Sequence, residues 1–96
     1  MDTETNTKIS IAIPTHSMRD SGYFFHRLLD SLWVQTFQDF EIVIADNSKD
    51  NVIRNICDFY KTGINYEWNP KMGMAHNTNH AIKRSKGELI KILYLD

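Results

Sequence analysis

The sequence holds a single cysteine, Cys57. No internal disulfide is possible, so the fold must stand on its core, and a reducing cytoplasm is the default compartment. Cys57 falls in a helical pattern with no accompanying motif and reads as an ordinary helix residue, not a nucleophile. No apolar run approaches the ~20 residues of a membrane-spanning helix. The polar, acidic start Met1 to Thr7 lacks the positive region and apolar core of a signal peptide. A soluble cytoplasmic protein is expected, membrane-peripheral only in a longer form. Neither charge sign dominates: 11 Lys and Arg stand against 12 Asp and Glu. No basic patch points to nucleic acid, and no acidic tail to a charged partner. Glycine is scarce, with four in 96 residues. The fingerprint Gly-x-Gly-x-x-Gly and the P-loop are both absent, which argues against a backbone cradle for phosphate. The length allows one small domain.

What the chain does contain is a repeated arrangement: a short apolar run that ends in polar residues. Glu41-Ile42-Val43-Ile44-Ala45 ends in Asp46-Asn47-Ser48. Ile9 to Pro14 ends at Thr15-His16, Ile64 to Trp68 at Asn69-Pro70, and Leu89 to Leu95 at Asp96. Runs this short and β-branched fit strands buried on both faces, as in a parallel sheet. The strands are expected over about 8–14, 40–45, 65–68 and 88–95. Between them lie three helical patterns. The first, about 23–36, carries Phe25, Leu28, Leu29, Leu32 and Trp33 on one face, with Asp20 or Ser21 as N-cap. The second carries Val52, Ile53, Ile56, Phe59 and Tyr60, is capped by Asp50 or Asn51, and stops near Gly63. The third, about 74–85, is expected to bury Met74, Thr78, Ala81, Ile82 and Ser85, with Gly87 ending it. The alternation β-α-β-α-β-α-β predicts an α/β fold with a parallel sheet and helices on both faces.

Ligands of open α/β sheets bind outside the carboxyl ends of the strands. Asp46 is therefore the best-placed acid. Its carboxylate can accept a hydrogen bond from a ring N–H, such as N3–H of uracil, and the His16 ring can stack on a base. The competing account is that Pro14 ends a strand and Asp46 caps a turn. His76 and His80 have the i, i+4 spacing of zinc ligands, but Asn77 stands where a metalloprotease has its glutamate, and no third ligand is suggested. Asp96 alone could hold a divalent cation only weakly.

Taken in order, these residues resemble the N-terminal, nucleotide-sugar-binding half of a family 2 glycosyltransferase of the GT-A fold. Ile11-Ala12-Ile13-Pro14-Thr15-His16-Ser17 resembles its opening I-I-P-T-Y-N. Leu28 to Ile42, with Gln35-Thr36-Phe37, resembles L-x-S-L-x-x-Q-T-Y-x-x-F-E-I. Ala45-Asp46-Asn47-Ser48 resembles the D-D-N-S turn, and Gly73 to Glu88 resembles G-x-x-x-x-x-N-x-x-x-x-A-x-G-E. Tyr94-Leu95-Asp96 resembles the start of F-L-D-x-D-D. No single piece is specific; their order and separations are.

The resemblance implies a Rossmann-like half of a GT-A fold, with strand order 3-2-1-4. It implies a nucleotide-sugar donor, often a UDP-sugar, and inverting transfer to a saccharide, lipid or protein acceptor. Pro14, Thr15 and His16 would line the base site. Asp46 would bind the base edge, supported by Asn47 and Ser48. Asn79 would face the nucleotide, and Asp96 would be the first acid of the D-x-D motif and the metal ligand. Thr78 stands where many relatives carry arginine. A divalent cation, Mn2+ or Mg2+, is expected in a complete enzyme, weak or absent here. Residues 1–7 are expected to be a disordered lead-in. Residues 8–96 are expected to be a nucleotide-binding part truncated at the D-x-D motif, inactive as a transferase by itself. Two rivals are a non-catalytic nucleotide-binding or interaction module from a truncated gene, and an unrelated flavodoxin-like or receiver-like domain. The fourth strand, long and apolar on an open edge with only Lys91 as guard, is expected to drive self-association.

Overall fold

The computed structural model describes residues 9–16, 21–33, 40–60 and 64–94. Its elements alternate: β1 (Ile9–Thr15), α1 (Ser21–Trp33), β2 (Phe40–Asp46), α2 (Val52–Tyr60), β3 (Ile64–Trp68), α3 (Met74–Arg84) and β4 (Leu89–Ile92). Among the described residues the four strands form one sheet in the order β3-β2-β1-β4, all neighbours parallel. Strand order and fold class are those expected.

Every inner strand residue has a covered side, which is why β1 and β2 read as unbroken apolar runs. One face carries Ile11, Ile13, Ile42 and Ile44 against Phe25 and Leu29 of α1 and Ile53 and Cys57 of α2. The other face is built from small residues, Ala12, Val43 and Ala45, so that Ala81 of α3 can sit directly on the sheet. Pro14 is tolerated inside β1 for a reason that the register makes plain. Ala12 accepts the N–H of Leu93, so even-numbered residues of β1 face β4, and β4 pairs only as far as Ala12. The donor that Pro14 lacks would point past the end of that partner.

Four expectations need correction. In α2 the inward residues are Ile53 and Cys57; Phe59 is 69% exposed and Val52 is exposed too. In α3 they are Asn77 and Ala81, and Met74 lies outside. The helix is rotated relative to an apolar-only reading because Asn77 finds buried carbonyls to bond. Gly87 does not end α3. The helix closes at Ser85, in extended conformation, and Gly87 instead lies against the backbone of β1. β4 is the shortest strand, four residues, with Leu89 and Ile90 exposed on the sheet edge. The lead-in 1–7, the Gln35-Thr36-Phe37 stretch, Gly63 and Asp20 lie outside the described residues. Asp50 does cap α2: its Oδ1 accepts the Val52 N–H at 3.2 Å.

Burial pushes the Cys57 thiol from 9.0 up to about 12, and the charges of Asp46 and Asp58 add to the effect. The folded state therefore keeps this proton longer than the unfolded chain. Its contribution to stability is complete below pH 9 and is lost as pH rises toward 12. With so little thiolate, alkylation at pH 8 is expected to be on the order of 100-fold or more slower in the native chain than in denaturant. Equal rates under the two conditions would show that Cys57 is not buried as described.

Candidate functional site

The polar residues collect where β1, β2 and β3 end together. The register sets Thr15 beside Asp46 and Asp46 beside Trp68. Three strands thus deliver a hydroxyl, a carboxylate and an indole to one rim. Asp46 is fully buried. Its Oδ1 accepts the hydroxyl of Thr15 (2.8 Å) and both the N–H (3.0 Å) and the hydroxyl (2.6 Å) of Ser48. Its Oδ2 accepts the phenol of Tyr66 at 2.6 Å. Four donors nearly exhaust what a carboxylate can accept. Desolvation, followed by the hydrogen bond and charge of Asp46, pushes the Tyr66 phenol well above its ordinary value, so at neutral pH Tyr66 is a donor.

A chain of three buried asparagines runs beside the acid. The Asn47 amide donates to the carbonyls of Asn69 (2.8 Å) and Lys71 (3.2 Å). Asn69 donates to Asn77 Oδ1 at 3.2 Å. Asn77 in turn donates to the carbonyls of Thr15 (3.1 Å) and Ala45 (2.7 Å). Backbone bonds from Asn47 to Thr15 and from Asn69 to Asp46, each 2.8 Å, close the seam. The rim is thereby fixed by groups that would otherwise be orphaned at the strand ends. Gly73 starts α3 at φ 115°, a backbone conformation that a Cβ disfavours.

Two hollows flank Asp46. One, of about 250 Å3, is lined by His16, Asn47, Met72, Gly73, Met74 and Asn77. The second, of about 550 Å3, includes Ser48, Arg54, Tyr66 and the exposed Trp68, whose indole N–H donates to the Ser48 carbonyl at 3.0 Å.

The expected site residues fall into four groups. His16 and Asn47 line the smaller hollow. Pro14, Thr15 and Asp46 are buried beneath the rim, and Ser48 holds Asp46. The Asp46 carboxylate is closed in by neighbours and does not line either hollow. Asn79 is exposed and lines a different depression, with Asn69 and His76. Asp96 lies outside the described residues, and among those described no group of three or more His, Cys, Asp or Glu could hold a metal ion. His80 is engaged elsewhere, 2.7 Å from Glu67, which also pairs with Arg84 at 2.9 Å. Sequence reading missed Tyr66, Asn69, Asn77, Met72 and Met74. Asn77 left one signal, an amide four residues before the small Ala81 on the same helical face.

Comparison with known proteins agrees with this arrangement. No curated protein sequence matches the chain. Among solved structures, S. aureus TarS 1–349 in complex with UDP is 26% identical with a TM-score of 0.78. The same protein in complex with UDP-GlcNAc is 28% identical with a TM-score of 0.71. Each match covers 93% of this chain, which spans only 27% and 26% of those chains. The sequence model for glycosyl transferase family 2 matches residues 10–96, from β1 through the polar rim and beyond β4, and the chain belongs to that family.

Proposed function

We propose that the chain is the donor-binding part of a glycosyltransferase and that it takes the nucleotide of a UDP-sugar at the carboxyl ends of β1 and β2. The observation that carries this reading is the braced rim. Asp46, Thr15, Ser48 and the three asparagines hold the strand ends rigid beside a hollow sized for one ring, with His16 on its wall. A hollow of about 250 Å3 falls below the ~300–1,000 Å3 usual for whole small-molecule ligands, so it suits the base while the rest of the nucleotide extends outward. The similar TarS structures with UDP and UDP-GlcNAc support the same ligand class. Transfer with inversion to a saccharide, lipid or protein acceptor belongs to the same reading, as does a divalent cation on the diphosphate, with Asp96 as its candidate ligand.

Titration of isotope-labelled chain with UDP tests it. UDP is expected to shift the resonances of His16, Met72 and Met74 saturably, and ADP to do so far more weakly. No saturable shift with UDP at millimolar concentration would overturn the proposal.

A further inference from the structure

The donor-binding reading leaves the larger hollow, of about 550 Å3, without a role, and the two hollows share no lining residue. Its volume lies within the ~300–1,000 Å3 of whole small-molecule ligands. The main apolar surface in it is Trp68, 52% exposed at the end of the edge strand β3. The indole N–H donates to the Ser48 carbonyl at 3.0 Å. The one polar atom of the ring is thereby spent and the ring is held in place, so what it offers a ligand is flat carbon surface. The phenol of Tyr66 is committed as well, to Asp46.

The polar groups beside the indole are of both kinds. Asp50 caps α2 through Oδ1, and its other oxygen meets no donor among the described residues. The side chains of Asn51 and Arg54 are exposed and make no hydrogen bond or ion pair with another described residue. Acceptors on Asp50 and Asn51 thus stand with donors on Asn51 and Arg54 in one hollow. The charges balance: Lys49 and Arg54 are set against Asp50 and Glu67. An anion drawn by the first pair is repelled by the second. A hydroxyl both gives and takes hydrogen bonds, so a neutral polyol meets both kinds of group at once. A polyol that also uses the indole needs a carbon face, and a sugar ring has one.

We infer that the larger hollow is a saccharide-binding subsite, in which a pyranose lies with its C–H face on Trp68 and its hydroxyls on Asp50, Asn51 and Arg54. The ligand class is an uncharged hexose with equatorial hydroxyls, alone or as one unit of an oligosaccharide. The subsite is separate from the hollow assigned to the nucleotide base. The inference goes beyond the donor-binding reading and does not depend on it.

Titration of isotope-labelled chain with cellotriose and with chitotriose tests it, with inorganic phosphate as the anionic comparison. At least one trisaccharide is expected to shift the Trp68 indole N–H saturably, at half-saturation on the order of 1–10 mM for one ring held in an open hollow. Phosphate at the same concentration is expected to leave that resonance in place. Trp68→Ala, folded by circular dichroism and followed through the Asn51 and Arg54 side chains, is expected to bind at least about 10-fold more weakly, as when a central aromatic contact is truncated. Unchanged affinity in that variant would overturn the inference. So would the absence of a saturable shift with either trisaccharide up to ~50 mM, or a saturable shift with phosphate alone. Should Trp68→Ala not fold, Arg54→Gln decides, because its side chain bonds no described residue: a loss of several-fold is expected, and unchanged affinity would overturn the inference. A trisaccharide shift abolished by saturating UDP would place both ligands in one site and overturn it too. Failure of UDP to bind defeats the donor reading and leaves this one standing.

Discussion

Asp46→Ala is expected to destabilise the chain by roughly 3–5 kcal/mol, because each buried donor left unsatisfied costs about 1–3 kcal/mol. The carboxylate holds the hydroxyl of Thr15, which is fully buried, and the N–H and hydroxyl of Ser48, which is 3% exposed. Tyr66 loses its partner too, but it is only partly buried and can turn to water. The loss is therefore counted mainly on Thr15 and Ser48. Asp46→Asn keeps one acceptor oxygen and is expected to lose less than half as much. Urea denaturation of the three proteins measures this. A loss below about 1 kcal/mol for Asp46→Ala, the level of one ordinary hydrogen bond, would show that the carboxylate is not the hub of the rim.

Gly87→Ala is expected to destabilise by about 2–3 kcal/mol, the range for forcing an extra carbon into close packing. A Cβ at this position would lie 2.6 Å from Ser10 N and 2.8 Å from Ile9 C. These are backbone atoms of β1, which is paired on both sides, so they cannot step back as a side-chain tip could. The substitution also pushes on a second set of contacts. The Gly87 N–H donates to Ser10 Oγ at 2.7 Å, and the Lys86 N–H donates to Glu41 at 2.6 Å. For a domain of this size the shift corresponds to roughly 8–24 °C in Tm. A variant that melts within about 2 °C of the parent would mean that the 85–88 loop moves away from β1 without penalty.

The two substitutions bear on different levels of the fold. Gly87 lies at the amino ends of the strands, away from the rim, so its loss weakens the platform without touching the ligand-facing groups. Asp46 lies at the carboxyl ends, so its loss also releases the turn that presents Asn47. Stability and nucleotide binding are thus expected to fall together for Asp46→Ala. Among Gly87→Ala molecules that remain folded, binding is expected to stay near normal.

Much of this was legible in the chain. Ile9 to Pro14 and Ile42 to Ala45 announced strands covered on both faces, because an inner parallel strand has no wet side on which to place polar residues. Phe25, Leu28, Leu29 and Leu32 announced the inward stripe of α1. Where the reading failed, polar residues were doing the work of the core. Asn77 replaces an apolar side chain on the buried face of α3, and periodicity counted on apolar residues alone turned Met74 inward, although it is exposed. Gly87 looked like a helix end because glycine often is one; its real neighbour, Ser10, is 77 positions away.

The sequence by itself determined the succession of elements and the side of the sheet on which polar residues gather. Both follow from local periodicity and from the rule that strand ends carry the turns. The tertiary structure alone decided which of two adjacent residues, Asp46 or Asn47, is sealed and which is presented. That choice depends on Tyr66 reaching Asp46 from β3 and on the carbonyls of Asn69 and Lys71 capturing the Asn47 amide. Those partners lie 20 to 24 residues along the chain, and only the packing of β3 against β2 brings them within hydrogen-bonding distance.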